Sequence, residues 1–158
     1  QEGDRDQGIA QMLTAAEGAP AAVLQPILLT LVAEQQMLGD HYDDAMAVIE
    51  RATLEMKRQH NHFYEAEMAR LQGEILLAQS RDNAAQAEAG FRHAVTVAAQ
   101  QSCRALGLRA ATSLAQLLMD TGRAAEARDV LAPIYGAFTE GFGQSHVKAA
   151  KVMLAKLN

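Results

Sequence analysis

Tryptophan is absent from this chain, cysteine occurs once, and aromatic side chains make up only 4% of its 158 residues. A single Cys103 excludes an intrachain disulfide and a thiolate cluster for zinc or iron–sulfur, and it fits a reducing, cytoplasmic setting. With so few aromatics, Ala, Leu and Met must fill the interior, a composition that favours helices packed closely through small side chains. Long apolar runs are missing too. The greasiest stretch, Val23 to Ala33, is cut by Gln25, Pro26 and Thr30, well short of the roughly 20 apolar residues that cross a bilayer. Gln1 to Asp6 has neither the basic start nor the apolar middle of a secretory signal, and a chain opening on Gln rather than Met is expected to be a fragment or a processed product. There is no excess of positive charge. Fourteen basic side chains stand against 19 acidic ones, a net charge of −5, which argues against a broad polyanion-binding surface and excludes nucleic acid and membrane as expected partners.

What the chain does have is a repeat. A small residue, a bulky apolar residue four positions on and a second small or apolar residue three further recur as Ala45, Ile49 and Ala52, then Ala87, Phe91 and Ala94, then Ala127, Leu131 and Ile134. A weaker echo is Gly8, Met12 and Ala15, so successive copies lie 37, 42 and 40 residues apart. That period points to stacked helix pairs, none of which can bury its apolar face alone.

The chain divides accordingly. A first helix from Gly3 and Asp4 carries Ile9, Met12, Leu13 and Ala16 on one face and stops near Gly18, where Ala19 and Pro20 interrupt it. A second, with Leu24, Leu28, Leu31 and Val32 inward, ends at Leu38 before Gly39 and Asp40. Pro26 must lie near its start or bend it by freeing the Ala22 carbonyl. Asp40 is the expected N-cap of a helix reaching about Gln59, with Asp43 and Asp44 favoured by its N-terminal dipole. After the connection His60, Asn61 and His62, helices are expected over 63–80, over 84–100, from Ser102 or Cys103 through Leu118 to a turn at 120–122, and over 123–139, the last bent at Pro133. Ser145 is the expected N-cap of a final helix with Val147, Ala150, Leu154 and Leu157 on one side and Lys148, Lys151 and Lys156 toward solvent.

The register resembles the tetratricopeptide repeat (TPR). Ala33, Gly73 and Ala115 occupy its small first-helix position, 12, 14 and 12 residues before Ala45, Ala87 and Ala127, and Tyr42 lies where the family favours an aromatic. The usual Trp is missing, the helices are longer than a 34-residue unit requires, and Ile134 replaces the last Ala. The segments FYEAEMARLQGEILL (63–77), LRAATSLAQL (108–117), GRAAEAR (122–128) and LAPIYGAFTEGF (131–142) are similar to the C-terminal repeat region of bacterial multidomain signalling proteins. In those proteins an adenylate or guanylate cyclase, or a DNA-binding regulator, is followed by an ATPase module and TPR-like helices. The resemblance implies an all-α, TPR-like helical-hairpin solenoid: one domain over residues 1–158, with an N-terminal half-repeat (1–18), repeats at 19–60, 61–101 and 102–143, and a capping helix at 144–158. It implies a regulatory or interaction region and transfers no catalytic residue.

No catalytic set stands out. A phosphate-binding Gly-rich loop ending in Lys and Ser or Thr is absent, and the acids lie in helical patterns rather than on the strands a cyclase needs. His60 and His62 lack a neighbouring Cys to complete a metal shell, and Ser145 with Lys148 reads as helix capping rather than a nucleophile pair. No cofactor or metal is expected. In the repeat family the exposed residues of each first helix line the concave side, which by register makes the candidate partner-binding residues Thr30, Glu34 and Met37, then Glu67, Arg70 and Glu74, then Arg109, Thr112 and Gln116. Their mixture suits a polar peptide, a protein, another domain of the parent chain or a second copy. It does not reproduce the Lys and Asn carboxylate clamp of chaperone-binding relatives. A small-molecule effector bound between helix pairs is the alternative. On this reading Arg70→Glu with Arg109→Glu weakens partner capture while preserving helical content.

Overall fold

The computed structural model describes residues 2–18 and 24–157. The expected interruption at Ala19 and Pro20, and the Ala22 carbonyl, lie outside them. Within them are eight α-helices, a one-turn 3-10 helix and no strand: α1 (Glu2–Gly18), α2 (Leu24–Leu38), α3 (Tyr42–Arg58), α4 (Glu65–Gln79), the 3-10 turn (Arg81–Asn83), α5 (Ala84–Gln100), α6 (Arg104–Asp120), α7 (Ala124–Gly136) and α8 (Ser145–Lys156). The all-α class is as the sequence dictates. Each helix packs on the next, and α2, α4, α6 and α8 also lie close in series, whereas the backbones of α1, α3, α5 and α7 stay apart and meet only through long side chains such as Arg51 with Glu17 and Arg92 with Glu126. Two rows result, with the even-numbered helices forming the tighter one.

The repeat positions explain this packing. Ala33, Ala115, Ala45, Ile49, Ala52, Ala87, Phe91, Ala94, Ala127 and Leu131 are all fully or almost fully buried, and Gly73 is buried with them. Size is traded across each pair: the largest bulky residue, Phe91, faces the smallest partner, Gly73, while Ile49 and Leu131 share their clusters with Ala33 and Ala115. One cluster gathers α1 to α4 around Leu29, Ile49, Leu71 and Ile75, and a second gathers α5 to α8 around Phe91, Leu114, Leu118 and Leu131. α4 serves both, since Leu76 and Leu77 pack on the second. The structure departs from the expected pattern at Ala15, which is exposed while Ala16 is the buried residue of α1, at Ile134, which is half-buried, and at Leu24 and Leu31 of α2, expected inward but exposed because the buried side of that helix runs through Leu29, Val32, Ala33 and Gln36.

Helix ends are where the sequence reading needs correction. Asp40 does not cap α3. It has φ 62° and closes α2, with its N–H donating to the Met37 carbonyl and the His41 N–H donating to that of Gln36. This is the six-to-one and five-to-two pairing of a Schellman ending. The same pairing closes α3 at His60 (φ 51°), α5 at Ser102 (φ 55°) and α6 at Gly122 (φ 78°). Of these four left-handed positions only the last carries glycine. The left-handed conformation costs a residue with a Cβ about 1–2 kcal/mol. His60→Gly and Ser102→Gly are therefore expected to raise unfolding stability by about 0.5–1 kcal/mol each in urea titrations. Asp40→Gly gains less, because the Asp40 carboxylate accepts the Tyr42 hydroxyl. No gain from either of the first two would contradict the strain argument.

Ser145 is likewise not a cap. Gly141 takes φ 76° and accepts the Gln144 N–H at 2.9 Å, which places extended Gln144 at the cap and Ser145 in the first helical turn. α4 begins two residues later than expected, because Asn61 accepts the Phe63 N–H and the Glu65 N–H bonds His62, making a turn of 61–64. Pro26 is the third described residue of α2 and is buried, while the Ala22 carbonyl on which the bend would act lies outside the described residues. α7 passes through Pro133 without interruption but ends at Gly136, short of Thr139. At the α4–α5 junction Ser80 is extended and its hydroxyl accepts the Asp82 N–H, absorbing the two extra residues of the middle unit. Asp43 and Asp44 stand in the first turn of α3 and Lys57 and Arg58 in its last, each complementing the helix dipole.

Candidate functional site

Repetition brings equivalent positions of α2, α4 and α6 side by side. Counting from Ala33, Gly73 and Ala115, the rungs are Ile27, Glu67 and Arg109, then Thr30, Arg70 and Thr112, then Glu34, Glu74 and Gln116. Within α4, Glu67, Arg70 and Glu74 are spaced three and four residues apart and so share one face.

Five of the nine candidates form one ion-pair network across the tight row. Arg70 reaches Glu67 at 2.6 Å, Glu74 at 2.9 Å and Glu34 of α2 at 3.4 Å. From α6, Arg109 reaches Glu67 at 2.9 Å and passes over α4 to Glu34 at 2.7 Å. Ser113, which the register had not nominated, donates its hydroxyl to Glu74 at 2.6 Å. Three carboxylates against two guanidiniums leave the cluster one charge negative. Burial is graded along it: the Glu67 and Arg70 side chains are 2% and 9% exposed, Glu34, Arg109 and Glu74 about a third. Burial disfavours the Arg70 charge, but the hydrogen bond to Glu67 and the fields of Glu67, Glu74 and Glu34 outweigh it and hold its pKa above the ordinary arginine value. Glu67 shares Oε1 between both arginines, and its Oε2 is buried without a protein donor. Tyr64 lies in the same field, its hydroxyl pKa raised by burial and then by Glu67, with Arg109 opposing.

Two expectations are corrected here. Thr30, Glu67 and Arg70 are buried rather than presented to a partner, and Thr30 turns its hydroxyl back to the Ile27 carbonyl at 2.7 Å. The paired reversal Arg70→Glu with Arg109→Glu is now expected to cost stability rather than to preserve helical content, since it sets five carboxylates together around a buried position. Thr112 and Gln116 are half-buried, their polar atoms bonded to the Leu108 carbonyl and to Asp120.

The network separates two open clefts that share Arg70 and Arg109 as walls. One, about 350 Å³, is completed by Thr112, Ser113 and the start of α8 at Ser145, His146 and Ala149. The other, about 330 Å³, is completed by Glu34, Gln35, Met37, Leu38, Leu71 and Glu74. The contribution of α8 escaped the sequence reading because Ser145 was assigned to a cap. Ser113 carried a signal, a polar residue where the equivalent positions of α2 and α4 hold Leu31 and Leu71. A third cleft, about 420 Å³, opens on α5, α6 and α7 and is mostly apolar, lined by Val95, Ala98, Cys103, Gly107, Pro133 and Ile134 among others.

Elsewhere the polar groups are structural. Arg92 and Arg123 bind Glu88 and Glu126 at 2.5–2.8 Å, tying α5 to α7 on the surface. Arg123 chiefly holds the Glu88 carboxyl below its usual range, and Arg92 chiefly that of Glu126, so this tie stabilises the fold above the unfolded carboxylate range and is lost as pH falls. His62 and His93 both bond Glu65, at 3.0 and 3.2 Å, and His60 serves the turn. Among the described residues no group of three or more His, Cys, Asp or Glu is placed to hold a metal, and no helix is long and apolar enough to cross a membrane. No known family, curated protein or solved structure matches the chain.

Proposed function

We propose that this chain is a TPR-like, non-catalytic regulatory module of a bacterial signalling protein, which binds a peptide, a partner domain or itself along the α2, α4 and α6 face. On this reading the units 19–60, 61–101 and 102–143 are successive repeats, 1–18 a half-repeat and 144–158 the cap. The supporting observation is the pair of open clefts, of mixed polar and apolar lining, flanking the Arg70–Arg109 walls. Those walls are fixed in advance by ion pairs within the protein, so little side-chain freedom is lost when a ligand settles. Open grooves of mixed lining suit an extended segment, with apolar contact giving area and hydrogen bonds and charge setting specificity.

A peptide selected from a random library against the folded domain tests this. Ala149→Trp fills one cleft while leaving every residue of the network in place, and Arg109→Ala removes part of the shared wall. Both are expected to weaken the selected peptide at least tenfold, about 1.4 kcal/mol, with Arg51→Ala on α3 unchanged. Equal affinity in both folded groove variants sinks the assignment. The second reading, an effector-sensing domain coupled to an upstream cyclase, ATPase or DNA-binding domain, draws on the apolar cleft at Cys103. Binding that ignores Arg109→Ala but is lost when Cys103 is alkylated would favour it.

A further inference from the structure

We propose that the segment held in the groove presents a lysine or arginine side chain to the cleft between α2 and α4, with Glu34 and Glu74 as its counter-charges. This rests on the groove assignment above and specifies what that groove selects.

The acceptors left over in the cleft point to a cation. A carboxylate has two oxygens to offer. Glu34 takes Arg70 at 3.4 Å and Arg109 at 2.7 Å on Oε1 alone, and Glu74 takes Arg70 at 2.9 Å and the Ser113 hydroxyl at 2.6 Å on Oε1 alone. The Oε2 atoms of both accept nothing within the described residues, and both are open to solvent. The guanidinium between them has nothing to give a ligand: Arg70 is 9% exposed, with Nε and Nη2 on Glu67 and Nη1 on Glu74. Arg109 commits Nη2 to Glu34 and Glu67 and keeps its other donors. Charge settles the balance. Three carboxylates face two guanidiniums, so a cation arriving at Glu34 and Glu74 brings the cluster to neutrality, while an anion takes it to two negative charges.

Placement follows from the difference between the two clefts. Glu34 and Glu74 both line the one of about 330 Å³, whereas no Asp or Glu lines the one toward α8, where Ser145 and His146 stand instead. The acidic cleft also has Met37 and Leu38 on its wall, apolar surface along which the methylenes of a lysine or arginine lie while the charged head reaches the carboxylates. The surroundings carry the same sign. From Asp6 to Glu50 the sequence has seven acidic residues and no Lys or Arg. Just past Leu38, Asp40, Asp43 and Asp44 are exposed. Asp40 accepts the Tyr42 hydroxyl and Asp43 the Gln79 amide, both neutral, and Arg5 of α1 donates to the Leu38 carbonyl at 3.1 Å. A field of this sign draws a basic segment to that end of the groove.

The probe is the peptide selected from a random library against the folded domain, and fluorescence anisotropy reads its affinity. The peptide is expected to carry a Lys or Arg whose replacement by norleucine, which keeps an apolar stem and drops the charge, weakens binding at least about tenfold. Against Glu34→Gln with Glu74→Gln, each of which keeps its Oε1 acceptor, the two peptides are expected to bind within about twofold of each other. The full penalty should persist against Ala149→Trp, which fills the other cleft, and against Glu50→Gln with Asp129→Asn, which removes the same charge from α3 and α7. Arg109→Ala, while costing affinity overall through its lost wall and donors, is expected to enlarge the penalty, because Glu34 loses a counter-charge. Unchanged helical circular dichroism qualifies each variant, and the comparison of the two peptides on the wild-type domain needs none. Selected peptides that lose affinity with Ala149→Trp and Arg109→Ala but hold no basic residue overturn the inference and leave the groove standing. So does a norleucine penalty that survives Glu34→Gln with Glu74→Gln. Peptides indifferent to both groove variants remove the groove itself, and the inference with it.

Discussion

Arg70→Ala is expected to lower unfolding stability by about 3–5 kcal/mol, measured by urea titration with circular dichroism. The guanidinium is 9% exposed and makes ion pairs with three carboxylates on two helices. Its removal leaves Glu67, 2% exposed, and Glu34 to share Arg109, and leaves Glu74 without a guanidinium. Most of the cost is that of a buried charge left poorly paired rather than the worth of the pair itself. The combination Arg70→Met with Glu67→Leu should therefore recover most of the loss, because neither charge is then buried. A loss under about 1 kcal/mol for Arg70→Ala, or a double variant no better than the single, would show the network to be a solvated surface feature.

Phe91→Ala is expected to cost about 3–5 kcal/mol, the range for truncating a fully buried aromatic. Its ring fills the space left by Gly73: a Cβ built there would stand 2.6 Å from Cε1 and 3.0 Å from two further ring carbons. Gly90 continues the close approach of α4 and α5, its own Cβ position being 3.3 Å from the Ala69 carbonyl. Gly73→Ala is thus expected to cost about 1–3 kcal/mol by overpacking, in spite of alanine's better helix propensity. The two losses should not add. In the Phe91→Ala background the new methyl enters a cavity instead of a ring, so Gly73→Ala becomes neutral or mildly stabilising there. Additivity within about 0.5 kcal/mol would mean the two residues do not share one space.

The Gly73 and Phe91 pair shows why the architecture was legible in the sequence. Buried positions recur with helical spacing at intervals near 40 residues, and small residues at Ala33, Gly73 and Ala115 mark equivalent positions three times. Local signals can carry that information. The helix ends were less legible, because Asp40, His60 and Ser102 adopt a conformation that residue type disfavours and only the hydrogen-bond pairing of the completed ending imposes. Asp40 and Ser145 are good caps by type, yet the turns around them leave no helix start at those positions. For the site, the register named all five members of the ion-pair network. It could not give their burial, since Arg70 is covered by α2 and α6, elements some 40 residues away in either direction. Proximity across a repeat can be read from a period, but depth depends on how tightly the rows close.

The serial packing of the helices has a consequence for how the chain acquires structure. Because each rod rests on the one just before it, nearly all apolar burial is between sequence neighbours, and such low contact order goes with fast folding. The strap from Arg109 to Glu34 is the exception, joining residues 75 positions apart. It can form only after the three helices it spans are in place, so it acts as a late latch on a spool that has otherwise wound itself.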